Sequence, residues 1–208
     1  MPFFVIEGMD GAGKTTQAKL LYERLKEKGE SYLTREPGGT RIGQKIRNLL
    51  LDKENMEMAN ETELFLYMAS RSQLVREVLQ PKLEKGCIII SDRFLLSSYV
   101  YQGIVGGVGV EKVKILGDIA TEGVYPDLIF VLNVSVEEGL SRLPQQRELW
   151  DRMELKGKEF HRKIQQAYLQ AAQDYKNTIV IDGNRPIEVI HQEILEKVED
   201  VLSSYHRA

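Results

Sequence analysis

Cysteine, tryptophan, histidine and long apolar runs are scarce in this chain: 208 residues hold one Cys, one Trp, three His and six Pro. A lone Cys87 excludes an intramolecular disulfide. It opens the apolar run Cys87–Ile90, so it reads as a buried strand thiol and not a reactive one. His161, His191 and His206 lack ligand spacing and are expected at solvated helix positions, not in a metal site. No apolar stretch approaches membrane-spanning length, and with strand-like residues from Phe3 onward no signal peptide is expected. A cytoplasmic, reducing setting away from membranes is expected. Net charge is only −3, so there is no global basic field to favour nucleic acid, and any anion must be held by a local Arg/Lys cluster. With 42% hydrophobic and 28% charged residues, one domain over residues 1–208 is expected, large enough for a sizeable core.

What is present starts at residue 8. Gly8, Met9, Asp10, Gly11, Ala12, Gly13, Lys14 and Thr15 match G-x-x-x-x-G-K-[ST], the phosphate-binding loop. The apolar run from Phe3 precedes it as a strand. A helix over Thr15–Lys28 follows, with Ala18, Leu21 and Leu25 on its apolar face. Such a unit turns backbone N–H groups and a helix N-terminus onto one point, a nest for the terminal phosphates of a nucleoside triphosphate. Lys14 adds a point charge there, and the Thr15 hydroxyl is placed to hold Mg²⁺.

Further strand-like runs lie at Ser31–Thr34, Cys87–Ser91, Leu128–Asn133 and Thr178–Ile181, alternating with helical patterns. The expected fold is α/β: a P-loop three-layer α/β/α sandwich with a five-stranded parallel sheet and a lid segment. Ligands in such sheets bind beyond the carboxyl ends of the strands. The segments at those ends carry Arg35-Glu36-Pro37-Gly38-Gly39, Asp92-Arg93, a helix-opening Ser135, and Asp182-Gly183-Asn184-Arg185. Turn chemistry accounts for the glycines and prolines, but not for arginines at two adjacent exits.

Asp92 ends its strand in the Walker B manner and is a candidate to assist Mg²⁺ binding; capping the helix that begins near Phe94 is a compatible alternative. In the helix predicted over Glu61–Leu79, Leu64, Met68, Val75 and Val78 form a stripe, and Arg71 falls inside it. A buried guanidinium needs an anion or a good acceptor, so Arg71 meets either a ligand, with Tyr67 one turn earlier, or an internal ion pair. The segment Leu140–Glu154 carries Arg142, Arg147 and Arg152 around Pro144, either as a solvated loop or as a lid, about residues 142–154, closing over the triphosphate. The helix from Glu188 to Tyr205 reads as core packing.

A small-molecule kinase competes here with a hydrolytic switch or motor. No N-K-x-D guanine motif is present, and the surplus arginines at 35, 71 and 93 suit a second anion site. The kinase reading is favoured before any family is considered. The strings Phe4–Thr16, Thr34-Arg35-Glu36-Pro37-Gly38-Gly39-Thr40, Ser91-Asp92-Arg93-Phe94 with Ser97-Ser98 and Tyr101-Gln102-Gly103, and Tyr125-Pro126-Asp127-Leu128 then carry a more specific likeness. On them the chain resembles the bacterial thymidylate kinases along its whole length.

That resemblance implies transfer of the γ-phosphoryl of MgATP to dTMP, giving dTDP and ADP, by a cytoplasmic homodimer. It implies that the loop from Gly8 to Thr16 and the neighbourhood of Asn184 bind ATP, with Thr15 and Asp92 at the metal. Tyr67 matches the aromatic that stacks on thymine and Arg71 the arginine that bonds the base. Ser98 and Gln102 match contacts to the pyrimidine edge, and Tyr101 a position near the deoxyribose. Arg93, Arg35 and Arg47 match the acceptor-phosphate clamp. Asp10 matches the loop acid near the sugar 3′-hydroxyl, and Glu36, also on the dTMP side, forms a candidate cis peptide with Pro37. Lys14, Arg93, Asp10 and a lid arginine, Arg147 ahead of Arg142 and Arg152, are the expected catalytic groups. The lid departs from the basic family pattern at Pro144-Gln145-Gln146 and Trp150.

Overall fold

A computed structural model describes residues 2–146 and 150–205. Five parallel strands form the sheet: β1 Phe3–Glu7, β2 Ser31–Arg35, β3 Ile88–Asp92, β4 Leu128–Asn133 and β5 Thr178–Asp182, in the order β2-β3-β1-β4-β5. All five match the runs read from the sequence to within one residue. Every residue of β1 is buried, as a central strand covered on both faces requires. The thiol of Cys87 is buried one residue before β3, and burial pushes it up from its ordinary pKa.

Helix α1 spans Lys14–Leu25 and buries Ala18, Leu21 and Leu25 against the sheet. It stops three residues before the expected Lys28, where the N–H groups of Lys28 and Gly29 both turn back to the Leu25 carbonyl. Helix α2, Arg41–Leu51, is opened by Thr40, whose hydroxyl accepts from the Gly43 N–H at 2.9 Å. The helix predicted to end at Leu79 is α3, Asn60–Leu74, which passes through a π turn at Val75–Leu79 into α4, Gln80–Glu84. Pro81 explains the π turn: it has no N–H and its ring crowds the preceding turn, so the coil widens just before it.

After β3, α5 (Leu95–Ser98) also widens into a π segment at Tyr99–Val105, followed by α6, Val110–Thr121. Helices α7 (Val136–Ser141), α8 (Lys158–Asp174) and α9 (Ile187–Tyr205) complete the outer layers. Ser135 caps α7, as expected, by accepting from the Glu138 N–H at 3.2 Å. His161 corrects the expectation of a solvated position. It is fully buried on the face of α8 that also carries Ile164, Ala167, Tyr168 and Ala171, with Nε2 3.2 Å from the Glu154 carbonyl oxygen. His206 lies outside the described residues.

The register positions the site. Ile6 lies level with Asp92, and Arg35 also lies level with Asp92, so the segments leaving β1, β2 and β3 emerge side by side at one rim.

Candidate active site

The loop after β1 is shaped by its glycines. Gly11 has φ 75° and a Cβ there would meet the Gly139 carbonyl oxygen at 1.9 Å, so α7 lies directly on the loop and only glycine fits. Gly13, at φ 92°, opens α1 without a side-chain cap, so the first N–H groups of the helix are left for an anion. Gly8 is likewise left-handed in φ, at 140°. Met9 and Ala12 are buried and serve the loop through their backbone, while Thr15 and Thr16 are exposed. Lys14 folds back to donate to the Met9 carbonyl at 2.7 Å and lies 3.9 Å from Asp10. Burial, reinforced by the Arg93 charge, pushes the Lys14 ammonium down to about 8.

Asp92 accepts from the Thr15 hydroxyl at 2.5 Å, which joins the end of β3 to the start of α1. Arg93 follows with φ 75°, an uncommon backbone conformation for a non-glycine residue. Its guanidinium donates to Asp10 at 2.5 Å, to the Gly8 carbonyl at 3.0 Å and to the Tyr168 hydroxyl at 2.9 Å, with the Tyr101 ring centroid 5.2 Å away. Burial alone would raise the Asp10 carboxyl; the charges of Arg93 and Lys14 outweigh it and hold the group below its ordinary range.

Glu7, which the sequence reading passed over, is the hub beneath this arginine. One carboxylate oxygen accepts from the N–H groups of Phe94 (2.8 Å) and Ser97 (3.1 Å), the other from the hydroxyls of Ser97 (2.6 Å) and Tyr168 (2.9 Å). Those hydroxyls in turn accept from Arg93. The available signal was a carboxylate closing an otherwise apolar strand one residue before the loop.

Two cavities meet at Asp10, Glu36, Arg47, Arg93 and Asp151. One extends over Gly11, Lys14, Thr15, Asp92 and the exposed Arg35; the other runs under Tyr67, Ser98, Tyr101, Gln102 and Met153. Arg47 donates to the Pro37 carbonyl at 3.0 Å across their shared wall. The Glu36–Pro37 peptide is cis, as expected.

Arg71 stands behind that wall, 1% exposed. Its donors reach Glu36 (2.8 Å from Nε, 2.7 Å from one terminal nitrogen), Ser98 (3.1 Å), the Phe94 carbonyl (3.1 Å) and the Met68 sulfur (3.2 Å). The internal ion pair is therefore formed, and its partners Glu36 and Ser98 face the second cavity. Burial raises the Glu36 carboxyl to about 7 against the pull of Arg71, and its other oxygen has no partner among the described residues. Tyr67 and Tyr101 are also pushed above their ordinary values by burial.

Three arginines of the 140–154 segment part company. Arg142 leans on the first cavity's rim, donating to the carbonyls of Gly11 (3.5 Å) and Gly183 (3.2 Å). Beside it Asn184 is held by Asp182 and accepts from the Ser135 N–H at 3.3 Å. Arg147 lies outside the described residues. Arg152 is buried on the opposite side, donating to the Leu50 carbonyl at 2.7 Å and ion-paired with Glu63, so it is not a solvated lid residue. Trp150 donates to the Pro144 carbonyl at 2.8 Å, which ties the segment across its own width. Asp151, Met153 and Glu63 were not anticipated at the site, and Arg152 was anticipated only as a lid arginine; its ion pair with Glu63 joins residues far apart in sequence.

The chain is similar to known proteins over nearly its whole length. The family model described as thymidylate kinase matches residues 6–194. Relatives named thymidylate kinase include one from Caldanaerobacter subterraneus, 46% identical over 202 residues, covering 96% of each chain. Another from Fervidobacterium nodosum is 47% identical over 195 residues, covering 93% of this chain and 96% of its own. The crystal structure of thymidylate kinase from Ehrlichia chaffeensis superposes with a TM-score of 0.77 at 29% identity, covering 95% of this chain and 98% of that one. A sheet that sets a phosphate loop beside a second, arginine-lined cavity is the architecture such a likeness calls for, and the chain belongs to the thymidylate kinase family.

Proposed function

We propose that this single kinase domain transfers the γ-phosphoryl of ATP to dTMP, giving dTDP and ADP on the way to dTTP. The observation that carries this is the meeting of two anion-adapted cavities at Arg93 and Asp10. Donor and acceptor are both anions and repel at close approach, while phosphoryl transfer asks mainly for positioning and neutralisation. Lys14 and the N–H groups of the Gly8–Thr16 loop hold the donor phosphates, with adenine toward Asn184. Arg93, Arg35 and Arg47 hold the acceptor phosphate in line, and Asp10 takes the sugar 3′-hydroxyl while orienting Arg93. Tyr67 stacks on the base, Tyr101 packs by the deoxyribose, and Ser98, Gln102, Glu36 and Arg71 frame the pyrimidine edge. Of the bonds Arg71 makes, the one to the Met68 sulfur is the weakest to surrender to a base carbonyl. A phosphate oxygen is already a nucleophile at neutral pH, so no strong general base is required.

Thr15 and Asp92 offer only oxygen donors, held together at 2.5 Å, which suits Mg²⁺, an ion that takes few protein ligands and keeps phosphate oxygens and waters. When bound it neutralises charge on the donor phosphates. Arg147 in the lid, about residues 142–154, is proposed to stabilise the transferring group.

A cytoplasmic homodimer, with no nucleic-acid or membrane partner, completes the reading. Helices α3 and α6 pack together and leave Phe65 (59%), Ile115 (61%) and Ile119 (66%) exposed, an apolar face that a second copy would cover. A coupled ADP-release assay with ATP and a panel of nucleoside monophosphates tests the activity. ADP formed with dTMP supports it; ADP released at the same rate without any acceptor overturns it in favour of a hydrolytic switch.

A further inference from the structure

Three buried polar side chains form a chain that ends in the second cavity. Arg152, Glu63 and Gln102 are 1%, 3% and 2% exposed. Arg152 pairs with one oxygen of Glu63, and Lys156 approaches that same oxygen to 3.8 Å. The other oxygen accepts from the Gln102 amide nitrogen at 2.7 Å. An ion-paired carboxylate can only accept, so the amide NH₂ of Gln102 must face Glu63 and its carbonyl oxygen must face away. Gln102 lines the cavity, and no described residue donates to that oxygen. The widened turn Tyr99–Val105 carries Gln102 to this position.

We infer that Glu63, fixed by Arg152, is a positioning residue for base discrimination: it aims the Gln102 carbonyl into the pocket as an acceptor for a ring N–H. The inference rests on reading this cavity as the dTMP site. Thymine and uracil carry a hydrogen on N3 and match such an acceptor. Cytosine presents a lone pair there, so two acceptors would face each other with water excluded. A site built for a hydrogen bond rejects ligands that leave its polar groups unpaired far more strongly than a site selecting on size.

Glu63→Gln tests this with little change in shape. Arg152 has only donors, so it keeps the new side chain's carbonyl, and the new NH₂ faces Gln102. Gln102 must then turn its carbonyl toward residue 63 and its NH₂ toward the cavity, a donor suited to cytosine. The ratio of kcat/KM for dTMP to that for dCMP is measured for both proteins, alongside thermal unfolding. The expected result is a ratio lower by about 100-fold in a folded variant; a folded variant whose ratio stays within about twofold of the unsubstituted enzyme overturns the inference. Binding of dTMP and N3-methyl-dTMP to the unsubstituted enzyme, by calorimetry without ATP, decides the matter should the variant not fold. Equal affinity for the two overturns it, and a loss of at least about tenfold on methylation supports it. Failure of the unsubstituted enzyme to turn over dTMP at all would instead overturn the proposed function, so the two failures are distinguishable.

Discussion

Arg93 donates to the Asp10 carboxylate at 2.5 Å from a backbone held at φ 75°, so the residue that follows β3 is fixed at both its main chain and its side chain. Five protein groups accept from the guanidinium before any ligand arrives, which is the preorganisation an in-line transfer needs. Arg93→Lys keeps the charge but loses the fork, and a drop of about 10³ in kcat/KM for dTMP is expected from steady-state kinetics. A loss below tenfold would remove Arg93 from the acceptor grip.

Lys14→Ala is expected to abolish phosphoryl transfer while dTMP still binds, as read by calorimetry beside the coupled assay. The pH dependence has a definite sign. Burial and Arg93 lower the Lys14 ammonium to about 8 in the free protein, and only its protonated form attracts phosphate. The kcat/KM for ATP should therefore fall as pH rises through about 8, because that parameter reports the free enzyme. Lys14→Arg, which stays charged, should lack this limb whatever its rate.

The Glu36–Arg71 pair predicts a stability profile. Burial lifts Glu36 from 4.5 to about 7, so the folded chain binds its proton more tightly than the unfolded chain. Its contribution to stability is present below about 4.5 and is lost as pH rises to about 7; Glu36→Gln should flatten that stretch of the melting-temperature profile. Arg71→Leu strands the buried carboxyl and should cost about 3–5 kcal/mol, with leucine at both positions recovering much of it.

Phe65→Glu with Ile119→Glu is expected to convert the proposed homodimer to monomers in sedimentation velocity, since both side chains are more than half exposed on the α3–α6 face. Unchanged sedimentation would move the interface elsewhere.

Arg147→Ala should lose kcat with little change in either substrate KM, the pattern of a contact made only in the transition state. An effect confined to the KM for ATP would shift that role to another residue, with Arg142, already at the loop carbonyl of Gly11, next in line.

Local pattern carried much of this molecule. Each strand was legible because a buried parallel strand is a short apolar run, and the phosphate loop because its glycines have positional meaning. Asp92 and Arg93 were legible because they sit at a strand exit. His161 was not: it shares the spacing of Ile164, Tyr168 and Ala171, so periodicity points to the core while the polarity of its ring points to solvent. Arg71 could be flagged as misplaced, but not resolved between ligand and ion pair, since Glu36 lies 35 residues away. The Arg152–Glu63–Gln102 chain joins residues 89 and 39 apart, and such partners become visible only when the chain has folded. The π turn before Pro81 was readable in hindsight; the one at Tyr99–Val105 has no proline to announce it.

Glu7 makes β1, the start of α5 and the middle of α8 meet at a single carboxylate. Helix α8 carries Tyr168, whose hydroxyl donates to Glu7 and accepts from Arg93, so Glu7→Gln should loosen the Arg93 guanidinium without touching it. One buried acid at the end of a strand thus sets how stiffly a charge one hydroxyl away is held.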